Sequence, residues 1–332
     1  MPTGAALDRP LPAAEPEDAW LAPAFDDVTP VLASLAPATP FALATLVAAE
    51  GGPRPPGAQM VVTADRRWGF LSGGCVEGDI APHARAALED GRPRRLAYGR
   101  DSPFWDIRLP CGGRIELLIE PVPPGDPAIA RLLSLRARRR PARYLSDGER
   151  RLCVERGDAA GAGSPGTWIV DRAVLPAQRL LVVGHDPFAT AIAMAGWQQG
   201  WATVLLAPGP LPGRPPEGLP VLAGPPGPAL TKLRPDAWTA VAVATHDGED
   251  DEAALAAALV SEAGYVGALG SRRRLAARRQ RLLGAGVPEA ALERLRAPIG
   301  LPIGARSPRE VAAAAIAEII ALRARADAPA GP

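Results

Sequence analysis

Apolar residues come in short blocks along the first half of the chain, and as strand-length blocks alternating with helical stretches along the second. Residues 41–48 form a continuous apolar run of strand length, and 59–63 and 68–71 predict two more strands. Residues 114–120 (R-I-E-L-L-I-E) follow a glycine pair and again have strand character, while 80–90 predicts a helix closed by Gly91. Several strands with so few helices between them predict an α+β domain. Residues 1 to about 30 are rich in proline, alanine and acids and lack periodicity, as expected of a flexible or loosely docked tail.

From Val122 to about Gly166 the chain is proline-, glycine- and arginine-rich, with weak alternation over 142–145 and 151–155. It reads either as a closing hairpin of the first domain or as part of the connection to the next. The boundary is expected at 172–178, which makes 31–172 the first domain and 178–326 the second. In the second, strands 179–183, 202–207, 237–244 and 265–269 alternate with helices. Asp186 is placed to N-cap a helix with Pro187 at its first position, Gly200 ends that helix, and an acidic start at 249–252 opens the next. Ser307-Pro308-Arg309-Glu310 is a capping box opening a long helix to about Ala326. Such alternation predicts a doubly wound parallel sheet, and α/β as the class of the whole chain.

Composition narrows the function. The 332 residues carry 37 basic and 36 acidic side chains, a net charge of +1, which argues against nucleic acid held by bulk electrostatics. No apolar run approaches the roughly 18–20 residues that cross a bilayer, and residues 1–20 lack the basic start and apolar core of a secretory signal, so neither a membrane nor export is expected. Three cysteines make no disulfide framework and fit thiols in a reducing cytoplasm.

The chemistry concentrates at glycine-flanked turns. Leu71-Ser72-Gly73-Gly74-Cys75-Val76-Glu77 places a glycine pair and a thiol between a strand and a helix. Glycines there let backbone approach a ligand, and a thiol at a helix N-terminus gains thiolate character. Pro82 leaves two possibilities: a helix starting near Asp79 with Cys75 in the loop, or an earlier helix kinked at the proline. A second cysteine precedes a glycine pair in Pro110-Cys111-Gly112-Gly113, whereas Cys153 lies in a weakly alternating segment and is expected to be structural. Soft sulfur suits a soft metal or a sulfur-bearing cofactor; the plainer reading is two small residues buried in tight turns. Arg54, in the proline-stiffened Pro53-Arg54-Pro55-Pro56-Gly57, is a candidate anion contact or an exposed arginine on a rigid turn.

In the second domain, Gly184-His185-Asp186 follows the first strand where a dinucleotide fold seats its pyrophosphate. Val182 stands in place of the first glycine of G-x-G, and Ala207 in place of the acid that would hold a ribose, so phosphate in some form is better supported than a dinucleotide. Thr245-His246-Asp247 ends the third strand, either as proton-transfer and ligand-orienting groups or as an ordinary helix start. Gly270-Ser271-Arg272-Arg273 ends the fourth, either as a phosphate or carboxylate receptor or as the beginning of a solvated basic face.

Taken together, P-R-P-P-G-A-Q-M (53–60), S-G-G-C-V-E-G (72–78), C-G-G-R-I-E-L-L-I-E-P (111–121), G-H-D (184–186), A-T-H-D (244–247), Y-V-G-A-L-G-S-R-R-R (265–274) and P-I-G-L-P-I-G-A-R-S-P-R-E-V (298–311) resemble the XdhC/CoxI family. These are accessory or maturation factors of xanthine dehydrogenase and carbon monoxide dehydrogenase. The resemblance covers about 290 residues, with Val182, Ala207 and Pro302 as departures from the family pattern.

It implies an N-terminal α+β XdhC-type domain followed by a Rossmann-like domain. The implied function is a non-catalytic factor that binds the molybdenum cofactor (molybdopterin), protects it, and helps insert its sulfurated form into a molybdenum hydroxylase. Cofactor contact, including metal contact, then falls to Cys75 and Cys111 on Gly73, Gly74, Gly112 and Gly113, with Arg54, Arg272 and Arg273 neutralising phosphate. The Rossmann-like domain would hold a nucleotide or the phosphate end of the pterin. A client enzyme, a cysteine desulfurase and a second copy of the chain are the expected partners. Two other classes stay open: an NAD(P)-dependent oxidoreductase, which nicotinamide nucleotide titration would reveal, and a scaffold that binds only proteins and carries neither molybdenum nor pterin.

Overall fold

Six consecutive buried residues open β1 (Phe41–Glu50), and their alternation feeds two separate cores. Phe41 and Leu43 pack with Val61, Leu118 and Val122, while Ala42, Ala44 and Leu46 pack with Met60, Ile115 and Leu117. A strand buried on both faces belongs in the middle of a sheet with a layer on each side. The computed structural model describes residues 27–52, 54–100, 109–158, 168–245 and 248–327, in two compact units that divide between Pro176 and Ala177.

The first unit is α+β. Its elements are α1 (Thr29–Leu35), β1, β2 (Gln59–Val62), β3 (Arg67–Gly69), α2 (Glu77–Asp90), β4 (Arg94–Gly99), β5 (Arg114–Val122), α3 (Pro127–Ala137), β6 (Ala142–Ser146), β7 (Arg151–Glu155) and β8 (Val170–Val174). An antiparallel five-stranded sheet runs in the order β3-β2-β1-β5-β4. Helix α2 buries Ile80, Ala84 and Ala87, one stripe at helical spacing, in the core on one face, and ends at Gly91 in the left-handed conformation (φ 70°). The other face is covered by α1, α3 and a second sheet, β7-β6-β8.

Several details differ from the reading of the sequence. The strand expected at 68–71 is β3, Arg67–Gly69. The proline- and arginine-rich stretch contains α3, N-capped by Asp126, ahead of the β6–β7 hairpin. Helix α2 begins at Glu77 and continues through Pro82, so Cys75 lies in the loop before the N-cap residue Val76.

The second unit is a Rossmann-like doubly wound domain. Its elements are β9 (Arg179–Val183), α4 (Pro187–Gln198), β10 (Ala202–Ala207), β11 (Val221–Ala223), α5 (Pro226–Leu233), β12 (Thr239–Val243), α6 (Gly248–Leu259), β13 (Tyr265–Ala268), α7 (Arg272–Gly284), α8 (Glu289–Leu292), β14 (Leu295–Arg296) and α9 (Pro308–Asp327). All strands are parallel, in the order β11-β10-β9-β12-β13-β14. That is the dinucleotide-fold order, which reverses between β9 and β12. Central strands such as β12, buried along its whole length, are near-continuous apolar runs because helices cover both faces. Glu310 accepts from the Ser307 and Arg306 amides at 2.9 Å each, completing the cap of α9.

Candidate functional site

Strand register brings three of the sequence motifs to one end of the five-stranded sheet. Glu50 at the end of β1 faces Arg114 at the start of β5, which faces Gly99 at the end of β4. Gln59 at the start of β2 faces Thr45, and Gly69 at the end of β3 faces Met60. The turns carrying Arg54, Cys75 and Cys111 therefore all leave from this end. They touch. The Arg54 guanidinium lies 4.7 Å from the centroid of the Phe70 ring, one residue before the Cys75 loop. A Cβ on Gly113 would come within 2.5 Å of the Glu50 carbonyl oxygen, so only glycine lets the Cys111 turn lie against β1.

The Cys75 loop is wrapped around a carboxylate that the sequence reading had not singled out. Glu77, 5% exposed, accepts hydrogen bonds from the amides of Leu71 (2.7 Å), Ser72 (2.7 Å), Gly74 (2.9 Å) and Val76 (3.2 Å), and from the Ser72 hydroxyl (2.7 Å). Burial by itself would raise its pKa; these donors, the Ser72 amide and hydroxyl foremost, outweigh it and hold the carboxylate below its ordinary value. At the first position of a helix, an acid reads as a partner for the helix dipole. Only the tertiary structure shows it turned back into the loop.

Gly73 (φ 82°) and Gly74 (φ 109°) adopt the conformation this wrapping requires. Gly73, Gly74 and Cys75 are exposed, as are Cys111 and Gly112, and an added Cβ at Gly73, Gly74 or Gly112 would meet nothing within 4 Å. Gly113 is buried. The two cysteines are thus presented on open turns rather than packed inside. Cys153, on β7 within the core, is the buried one, and burial pushes its thiol up to about 11.

The second unit offers a different surface. Gly184 (φ 141°) sits so close to the end of β12 that a Cβ would lie 2.2 Å from the Ala244 carbonyl oxygen. Asp186 N-caps α4 by accepting from the Ala189 amide at 2.8 Å, and Pro187 has no N–H to give. The helix start on which a pyrophosphate would rest is thus already capped by a carboxylate. The His185 ring packs against Gly209, just beyond β10, and its Nδ1 is buried without a hydrogen-bond partner among the described residues.

A cavity of about 370 Å³ opens instead at the ends of β12 and β13, one strand away from the reversal point. Thr245, Gly270, Ser271 and Arg274 line it. Arg278 crosses it, donating to Asp251 at 2.8 Å and to the Leu269 carbonyl at 3.0 Å, while Thr245 donates to Asp251 at 2.7 Å. Ser271 is the N-cap residue of α7, with no side-chain capping bond; Arg272 begins the helix, and Arg273 is exposed beside it. His246 and Asp247 lie outside the described residues.

An α+β unit whose five-stranded sheet presents two glycine–cysteine turns, followed by a Rossmann-like unit, defines a class of protein. Residues 34–99 match the model of the XdhC and CoxI family, and residues 180–319 that of the XdhC Rossmann domain. The chain belongs to the XdhC/CoxI family. It is 33% identical over 285 residues to the molybdenum cofactor insertion chaperone PaoD of Escherichia coli K12, covering 85% of this chain and 83% of PaoD. It is 24% identical to a probable xanthine dehydrogenase component of Bacillus subtilis, covering 85% of this chain and 93% of that protein. A crystal structure described as a xanthine dehydrogenase from Bacillus halodurans superposes with a TM-score of 0.71 at 25% identity, covering 92% of this chain and 98% of the other.

Proposed function

We propose that this chain is a molybdenum cofactor-binding maturation factor. In this reading it is a non-catalytic cytoplasmic chaperone that protects the sulfurated cofactor and helps insert it into a molybdenum hydroxylase of the xanthine or carbon monoxide dehydrogenase type. The observation that carries the proposal is the pair of exposed, glycine-hinged thiols, Cys75 and Cys111, at one end of one sheet. Family membership and the similarity to PaoD support it.

The residues present fit such a group. Among the described residues no cluster of three or more His, Cys, Asp or Glu side chains could hold a bare metal ion. Two accessible soft ligands on open turns suit a metal that arrives with ligands of its own. When bound, the cofactor supplies a metal–dithiolene centre whose redox chemistry belongs to the client enzyme. Cys75 and Cys111 supply sulfur contacts, Glu77 fixes the loop that carries Cys75, and Arg54 balances negative charge. A cysteine desulfurase, the client enzyme and a second copy of this chain are the proposed partners.

The test is the Cys75→Ser/Cys111→Ser double variant, made in a cofactor-producing host and assayed for molybdenum and pterin per chain. The wild type is expected to retain both and the variant to lose them. Equal retention discards the thiol role, and a wild type carrying neither molybdenum nor pterin leaves a protein-only scaffold.

A further inference from the structure

A partly buried guanidinium in the first unit makes no direct ion pair with a carboxylate among the described residues. Arg172, on β8, is partly buried. Its Nη1 donates at 2.5 Å to Oε1 of Gln59, a neutral acceptor that is 6% exposed and is itself oriented by donating to Thr45 Oγ1 at 3.1 Å. No carboxylate among the described residues comes within the 4.0 Å of an ion pair with Arg172. The nearby acid, Asp27, is already engaged: it pairs with Arg136 and accepts from the Thr29 amide at 2.9 Å and from its hydroxyl.

A second guanidinium approaches from the motif loop. The stem of Arg172 lies along Gly57 (φ 92°), where an added Cβ would be 3.6 Å from Cγ and 3.8 Å from Nε. Gly57 closes the turn that Arg54 opens, and the two prolines between them limit its freedom before any ligand arrives. Arg54 is steadied by the Phe70 ring. Asp27 thus serves two guanidinium groups, Arg136 through an ion pair and Arg172 at longer range, while Arg54 adds a further positive charge near Arg172. Burial lowers the pKa of Arg172, Asp27 offsets part of that effect, and Arg136 and Arg54 add to it.

A partly desolvated cation whose direct acceptor is a neutral amide is only partly compensated, and a planar guanidinium matches an oxyanion through two parallel hydrogen bonds. In the second unit Arg278 is paired with Asp251 and Arg281 with Glu252. We infer that Arg172 and Arg54 form an anion subsite in the first unit that takes the phosphate ester group of the bound ligand. This deepens the cofactor reading and rests on it only for the ligand's identity. It moves the phosphate from the head of α7 to the same loop system as the two thiols.

The test uses the full chain without cofactor, titrated with inorganic phosphate and with glycerol phosphate, binding being read by calorimetry and phosphorus NMR. Arg172→Gln is expected to weaken both by about tenfold, the scale of one charge-assisted contact. Asp27→Asn removes the competing carboxylate and is expected to tighten both severalfold, an effect that misfolding cannot mimic. The Cys75→Ser/Cys111→Ser variant is expected to bind phosphate as the wild type does, so failure of the thiol role leaves this result readable. Absence of binding by the wild type overturns the inference. So does a loss in Arg273→Gln with Arg172→Gln unaffected, and so does binding of inorganic phosphate with exclusion of the ester.

Discussion

Ser72 gives both its amide and its hydroxyl to the Glu77 carboxylate, at 2.7 Å each, and thereby ties the strand-end side of the cysteine loop to the helix that follows it. The Gly74 and Val76 amides complete the wrap on either side of Cys75. Replacing Glu77 with glutamine keeps the size but turns an amide N–H₂ toward these donors. The expected cost is about 2–4 kcal/mol in urea unfolding, from charge-assisted bonds lost and buried donors left unmet. Ser72→Ala, which removes one donor to Glu77 and an acceptor for the Val76 amide (the amide keeps Glu77), is expected to cost less, about 1 kcal/mol.

Two buried carboxylates act on stability in opposite pH windows. Glu77 has a folded pKa below its ordinary 4.5, so the stability it contributes is present above that value and is lost as pH falls through the lowered one. Glu120 is buried on β5 near Tyr144 and Ser146, and burial pushes it up to about 7, against the pull of the Ser146 hydrogen bond and Arg151. Its proton is held more tightly in the folded state, so stability falls as pH rises from about 4.5 to 7. Glu120→Gln is expected to flatten that slope, and Glu77→Gln to flatten the acid limb. Chemical denaturation across pH measures both.

Glycines of the Cys111 turn and of the strand end beside it separate steric need from conformational need. Gly113→Ala forces a Cβ within 2.5 Å of the Glu50 carbonyl, and Gly99→Ala within 2.0 Å of the Gly113 carbonyl. Each is expected to destabilise by about 3 kcal/mol or more, since backbone must shift. Gly112→Ala meets open space and carries only the strain of its φ of 69°, about 1 kcal/mol. Thermal unfolding of the three variants should show that order.

Thiol accessibility gives a direct reading of the site. Brief alkylation at neutral pH, followed by peptide mass analysis, is expected to label Cys75 and Cys111 and spare Cys153, which is buried with its thiol pushed up to about 11. Bound cofactor is expected to protect the first two together. Independent labelling of one of them in the loaded protein would separate their roles.

Nicotinamide nucleotides are expected to leave the melting temperature unchanged. The Asp186 carboxylate already caps the helix start where a pyrophosphate would sit and would repel it, Pro187 has no N–H to offer, and the His185 ring packs against Gly209 beside β10. A shift on adding NADH would show that this end of the sheet rearranges to admit one.

The second unit was legible because buried parallel strands are continuous apolar runs and its helices announce themselves through Asp186-Pro187 and Ser307–Glu310. Strand β4 escaped notice because it is an edge strand, where Arg94 and Arg95 cost nothing and blur the alternation. Helix α3 was hidden by its arginines and the prolines around it, although its buried positions, Ala128, Ile129, Leu132 and Leu135, keep helical spacing. Local pattern by itself determined the fold class, the two kinds of domain and the glycine-flanked thiols, because periodicity and turn chemistry are properties of neighbours in the chain. Tertiary structure alone decided that Glu77 turns back to hold the Cys75 loop and that Arg172 lies beside Gly57, 115 positions earlier in the sequence. Those facts depend on strand register and on which buried charges find partners, and neither is written in any local stretch of residues.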